Sequence, residues 1–114
     1  MAQAAKPTQD VTAKQANLKT ELSAKIADFK TQTAANNNDA AMKTYTEMVG
    51  IMYKAISATS VKMNGLKETE DMVKVRAVFS KQNGIQSNLK FMATDIAANK
   101  AKMITAMEEF LGTL

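Results

Sequence analysis

The sequence predicts an all-α fold: an antiparallel hairpin or bundle of three long helices, or of four if the last one breaks near Asn83-Gly84. Three observations predict it. The 114 residues include 19 Ala, 14 Lys and 9 Met, a helix-forming composition. Glycine (4), proline (1) and aromatics (5%) are too scarce to punctuate and fill a multi-stranded fold. Large apolar residues recur in steps of three and four along most of the chain, the period of one helix face. The length suits a single domain over 1–114, with residues 1–8 as a flexible polar start.

The first helix is expected from about Thr8 to Ala35. Pro7 precedes it, and Thr8 or Asp10 can cap its free N–H groups. Val11, Leu18, Leu22, Ile26 and Phe29 share one face. Mostly Ala, Thr and Gln lie between them, so this helix needs partners to be stable. Asn36-Asn37-Asn38-Asp39 is the first break. Asparagine tolerates left-handed backbone and caps helices, so one Asn should close the first helix and Asn38 open the second. Asp39 then complements the dipole in the new first turn.

The second helix is expected over Asp39–Asn64. Met42, Tyr45, Val49, Met52, Ile56, Thr59, Met63 and Leu66 form a coiled-coil-like seam, flanked by Met48 and Tyr53. Asn64-Gly65 is the second break, with Gly65 in the left-handed position and Leu66 folding back on the helix.

The third segment runs from about Lys67 to Leu111. Glu68, Glu70 and Asp71 crowd its first turn, where acids favour the helix dipole. Val75, Phe79, Leu89, Ala93, Ile96, Met103, Met107, Phe110 and Leu114 keep the three-four spacing. Gln82, Gln86 and Lys100 are its polar members, and Val78, Ile85 and Met92 form a parallel stripe. Asn83-Gly84 is a turn signal, yet the register runs through it, which favours one continuous helix. Such a helix would be about 68 Å long and would overhang two helices of about 40 Å. Met103, Met107, Phe110, Leu111 and Leu114 would then need a partner molecule to cover them and are the expected interface.

Little chemistry is available. His, Cys and Trp are absent, which removes the commonest general base, thiol nucleophiles, thiolate metal sites and disulfides. The four glycines are isolated and form no phosphate cradle. Ser87-Asn88-Leu89-Lys90 matches a Ser-x-x-Lys spacing but has no companion motif. Glu68 and Asp71 are spaced to share a cation, but a helix first turn explains them. The expectation is no enzyme, no cofactor and no metal site.

Net charge is +4 with pI ≈ 9.4. It is spread as +2, +1, +1 and 0 over residues 1–38, 39–64, 65–84 and 85–114. Arg76 is the only arginine, which disfavours a nucleic-acid partner. The last segment is amphipathic but neutral and lacks Trp, which disfavours a membrane-surface role. No apolar run approaches a membrane span, and Met1 to Asn17 contains no apolar core of a signal peptide. The chain is therefore expected in the cytoplasm, or exported without a cleavable signal peptide.

Function is expected from helix packing. The methionines suit surfaces that adapt to a partner. The absence of Cys and Trp, the many Ala, Asn, Thr and Gln residues and the polar start are similar to secreted filament, needle and translocator-type helical subunits. That resemblance implies a self-assembling structural protein, a homo-oligomer or one that packs against a helical partner. The alternative is a small cytosolic chaperone or adaptor holding an amphipathic partner helix.

Overall fold

A computed structural model describes residues 7–66 and 70–114, with side chains over 16–66 and 71–114. The fold is all-α, and no strand occurs among the described residues. Helix α1 spans Pro7–Ala34, α2 Asn38–Asn64, α3 Glu70–Met92 and α4 Ile96–Leu111, with a 3₁₀ turn at Ala93–Asp95 between the last two. Pro7, expected in the flexible start, is helical, so α1 begins one residue before the expected Thr8. Proline suits a first helical turn because its missing N–H would be unpaired there anyway. Val11 lies where only the backbone is described. Lys67 and Glu68 lie outside the described residues.

The first break is an asparagine device. Asn36 has φ 58, the only positive φ among the described residues. Asn37 N–H donates to Gln32 C=O (2.8 Å) and Asn36 N–H to Thr33 C=O (3.1 Å), closing α1 with a Schellman pair. Asn37, rather than the expected Asn38, caps α2: its side chain accepts from Ala40 N–H at 3.3 Å. One residue thus closes one helix and opens the next. The second break differs from expectation. Gly65 has right-handed φ −82 and ψ −7, and its N–H donates to carbonyls within the last turn of α2. Leu66 N–H donates to Met63 C=O at 3.2 Å, so the helix ends in a tightened turn without left-handed backbone.

Hydrogen bonds fix the directions. Lys25 meets Glu47 at 2.9 Å and Thr44 Oγ1 donates to Gln32 Oε1 at 2.7 Å, so α1 and α2 run antiparallel. Asn99 Nδ2 donates to Met92 C=O (3.2 Å) and Gln82 Nε2 to Thr113 Oγ1 (3.0 Å), so α4 folds back along α3. Lys100 Nζ lies 3.5 Å from Thr33 C=O and Lys30 pairs with Glu108 at 2.8 Å, so α4 also runs antiparallel to α1. The bundle therefore has four helices. Its axes of 50 × 28 × 17 Å leave no room for a third helix of about 68 Å.

The last segment breaks at Ala93–Asp95, and not at Asn83-Gly84. Thr94 Oγ1 turns back to Phe91 C=O at 2.8 Å. Asp95, with φ −147 and ψ 81, leaves the helical region and caps α4 by accepting from Ala98 N–H at 3.2 Å. These two side chains satisfy one carbonyl and one N–H of the turn. Gly84 lies inside α3, without positive φ, and a Cβ built there meets nothing within 4 Å. Gly84→Ala should therefore stabilise by about 0.5–1 kcal/mol, through helix propensity and a stiffer unfolded chain. A urea titration beside wild type reads the sign; a lower midpoint would contradict a helical Gly84.

The core forms one cluster drawn from all four helices. Leu18, Leu22, Ile26 and Phe29 of α1 are buried as their spacing predicts. On α2 the expected seam is buried at Tyr45, Met52, Ile56 and Thr59, and elsewhere the buried stripe is rotated from it. Ala41, Met48, Ala55 and Ala58 are inside, while Met42 and Tyr53 are exposed. The three alanines explain the rotation: small side chains let α1 approach closely, and a pattern weighted by large residues misses them. Gln82, Gln86 and Thr59, polar members of the expected pattern, are buried. Thr59 Oγ1 donates to Ala55 C=O at 3.0 Å. Tyr45 Oη is buried without a partner, and burial pushes its pKa above the ordinary value of 10.0.

Candidate interaction faces of the bundle

The five residues expected to form an interface separate into two groups. Met103, Met107 and Phe110 are fully buried inside the chain's own core. They were expected on an overhang, and there is none, because the turn at Ala93–Asp95 returns α4 onto α3 and α1. Leu111 and Leu114 are half-buried and pack against the same core. Leu114 and Thr113 also edge a cleft of about 230 Å³, walled by Thr59 and Lys62 of α2 and by Lys74, Val75 and Val78 of α3. Behind it, the fully buried Gln82 bonds Thr113 through its amide nitrogen, while its Oε1 has no partner.

Among the described residues, the most exposed large apolar side chain is on α3. Phe91 is 78% exposed and Val73 is 61% exposed. They are the two ends of a second series in three-four steps: Val73, Ala77, Ser80, Gly84, Ser87 and Phe91, all exposed. At about 100° per residue this series lies opposite the face carrying Gln82, Ile85 and Leu89. Helix α3 thus has two seams, one turned into the bundle and one turned out. The middle of the outer seam is small and the ends are large, a profile that admits another helix closely. Lys74 and Lys81 border it on one side and Arg76 and Lys90 on the other, all exposed.

Helix α1 has a similar outer face. Asn17, Thr20, Ala24, Ala27, Thr31 and Ala34 follow the same steps, all exposed, opposite Leu22, Ile26 and Phe29. Its borders differ in charge. Glu21 and Asp28, seven residues apart, line one side and Lys30 the other. Helices α1 and α3 each pack against α2 and α4, and α2 meets α4 across the bundle. The two outer faces therefore sit at opposite corners and point away from each other. The flattened 28 × 17 Å cross-section agrees with this arrangement.

Sequence reasoning missed these outer faces. The signal was present as a second three-four series in each helix, but its members are mostly Ala, Ser, Thr and Gly, which a search for large apolar residues passes over. The remaining candidates lie apart. Ser87 and Lys90 are exposed on α3. Glu68 lies outside the described residues, as does the side chain of Glu70, and Asp71 is exposed. No group of three acidic side chains comes together among the described residues. No described helix is long and apolar enough to cross a membrane. No protein-family model, curated protein or solved structure matches the chain.

Proposed function

We propose that this protein is a non-catalytic structural subunit that assembles with copies of itself through the outer faces of its helices. The observation that carries this reading is the exposed seam of α3, ending in Phe91 and Val73. Leaving a phenylalanine 78% exposed at seam spacing sacrifices burial that a second helix would recover. The intramolecular core is already complete without it, since Met103, Met107 and Phe110 are inside. Phe91→Lys should keep the wild-type thermal melt, because Phe91 supports little of the monomer. It should also abolish the rise of mass with concentration in sedimentation velocity. A wild-type chain that stays monomeric at every concentration would contradict the reading.

A second reading keeps support from one feature. The outer seam of α3 is bordered by four basic residues, which suits an acidic amphipathic helix of another protein. An adaptor of that kind would stay monomeric alone and bind such a helix with marked salt dependence.

A further inference from the structure

We infer that assembly, if the reading above holds, is head-to-tail: the outer face of α1 on one copy docks antiparallel on the outer face of α3 on the next. The inference rests on the match between the two faces in shape, spacing and charge. Both are seams of three-four steps made largely of small residues, so their backbones can approach closely. In an antiparallel pair whose seam positions pack in layers, Ala24 meets Ser80 and Ala27 meets Ala77, while Thr31 meets Val73 at one end. In that register the bordering residues of like position face one another. Glu21 then lies against Lys81 and Asp28 against Lys74, and all four are exposed in the monomer. On the other border Arg76 faces Lys30, whose charge is already held by Glu108 at 2.8 Å. A parallel pair in seam register matches only Glu21 to Arg76 and sets Asp28 against the neutral Asn83. Two α3 faces pairing with each other would set Lys81 against Lys81 and Arg76 against Lys90. Charge therefore selects α1 as the occupant of α3.

The placement of the two faces adds the consequence. They occupy opposite corners and point in opposite directions, so an α1–α3 contact leaves one face of each kind free at the ends. A heterologous contact that does not close on itself extends into an open filament.

The experiment uses full-length chains. Glu21→Lys with Asp28→Lys makes one variant, and Lys74→Glu with Lys81→Glu makes the other. Each alone should need roughly tenfold or more protein to assemble, because two attractive pairs become repulsive. An equimolar mixture should assemble as wild type does, since each variant then presents what the other lacks. Circular dichroism of each variant confirms the fold. Register is read by disulfide capture, which is clean because the chain has no cysteine. A Thr31→Cys chain should link to a Val73→Cys chain and not to a Phe91→Cys chain. Reversals without effect on an assembling wild type would overturn this interface and leave self-assembly standing. A mixture that fails to recover would overturn it as well. A wild type that never assembles would remove the self-assembly reading, and this interface with it.

Discussion

Deleting the seven residues after Met107 should unfold the protein. Phe110 is fully buried, and losing a phenylalanine from a core costs about 3–5 kcal/mol. The deletion also removes Leu111 and Leu114 from their packing on the core. It takes away the Gln82–Thr113 bond and the Lys30–Glu108 pair as well. Gln82 would lose Thr113 as the partner of its amide nitrogen, a further cost. Against a total stability of about 5–15 kcal/mol for a domain, these losses are sufficient to abolish a cooperative melt. Circular dichroism should show helix content falling with loss of the transition. A truncated chain that melts like wild type would mean that these residues lie outside the core, as an overhanging third helix would have placed them.

A charge in the α2 stripe should have a comparable effect. Ile56 is 8% exposed within the cluster shared with α1 and α4, and a carboxylate there must be desolvated or protonated. Ile56→Asp should unfold the chain or leave a molten state, a loss above about 3 kcal/mol. Lys54→Asp, two positions away on the exposed side, should change stability by less than about 0.5 kcal/mol. Thermal melts of the pair check the orientation of α2; equal melting temperatures would contradict it.

How much of this was legible in the sequence varies by element. Helix α1 was legible because its large residues carry the burial: Leu18, Leu22, Ile26 and Phe29 all lie inside. The asparagine turn was legible in kind, since few residue types accept φ 58, but the shared use of Asn37 depends on tertiary geometry. On α2 Tyr45, Met52 and Ile56 lie inside as their spacing predicts, and Met42 does not. Met42 fits the seam by spacing, yet Ala41 is buried and Met42 exposed, because close packing on α1 favours the smaller side chain. The turn at Ala93–Asp95 was hidden for two reasons. It contains neither Gly nor Pro, and Thr94 with Asp95 reads as two ordinary polar residues of a helix surface. The apolar register also continues across it, from Leu89 and Ala93 to Ile96 and Met103, all buried. In the sequence, that continuity favours one helix. Both arms of a hairpin turn the same face to the same core, however, so continuity does not distinguish a straight helix from a folded one. The misplaced interface followed directly. Once α4 folds back, its apolar face closes the core, and the uncovered surface moves to the small-residue seams of α1 and α3.

Everything proposed about assembly depends on that fold-back, because it decides which faces are covered. Spin labels on introduced cysteines at Lys81 and Glu109, both exposed, measure it in a chain with no other thiol. A continuous helix would hold those backbones about 42 Å apart. The hairpin closed by the Gln82–Thr113 bond predicts a single population at less than half that separation. A distribution centred near the full helical length would contradict the four-helix bundle and return Met103, Met107 and Phe110 to the surface.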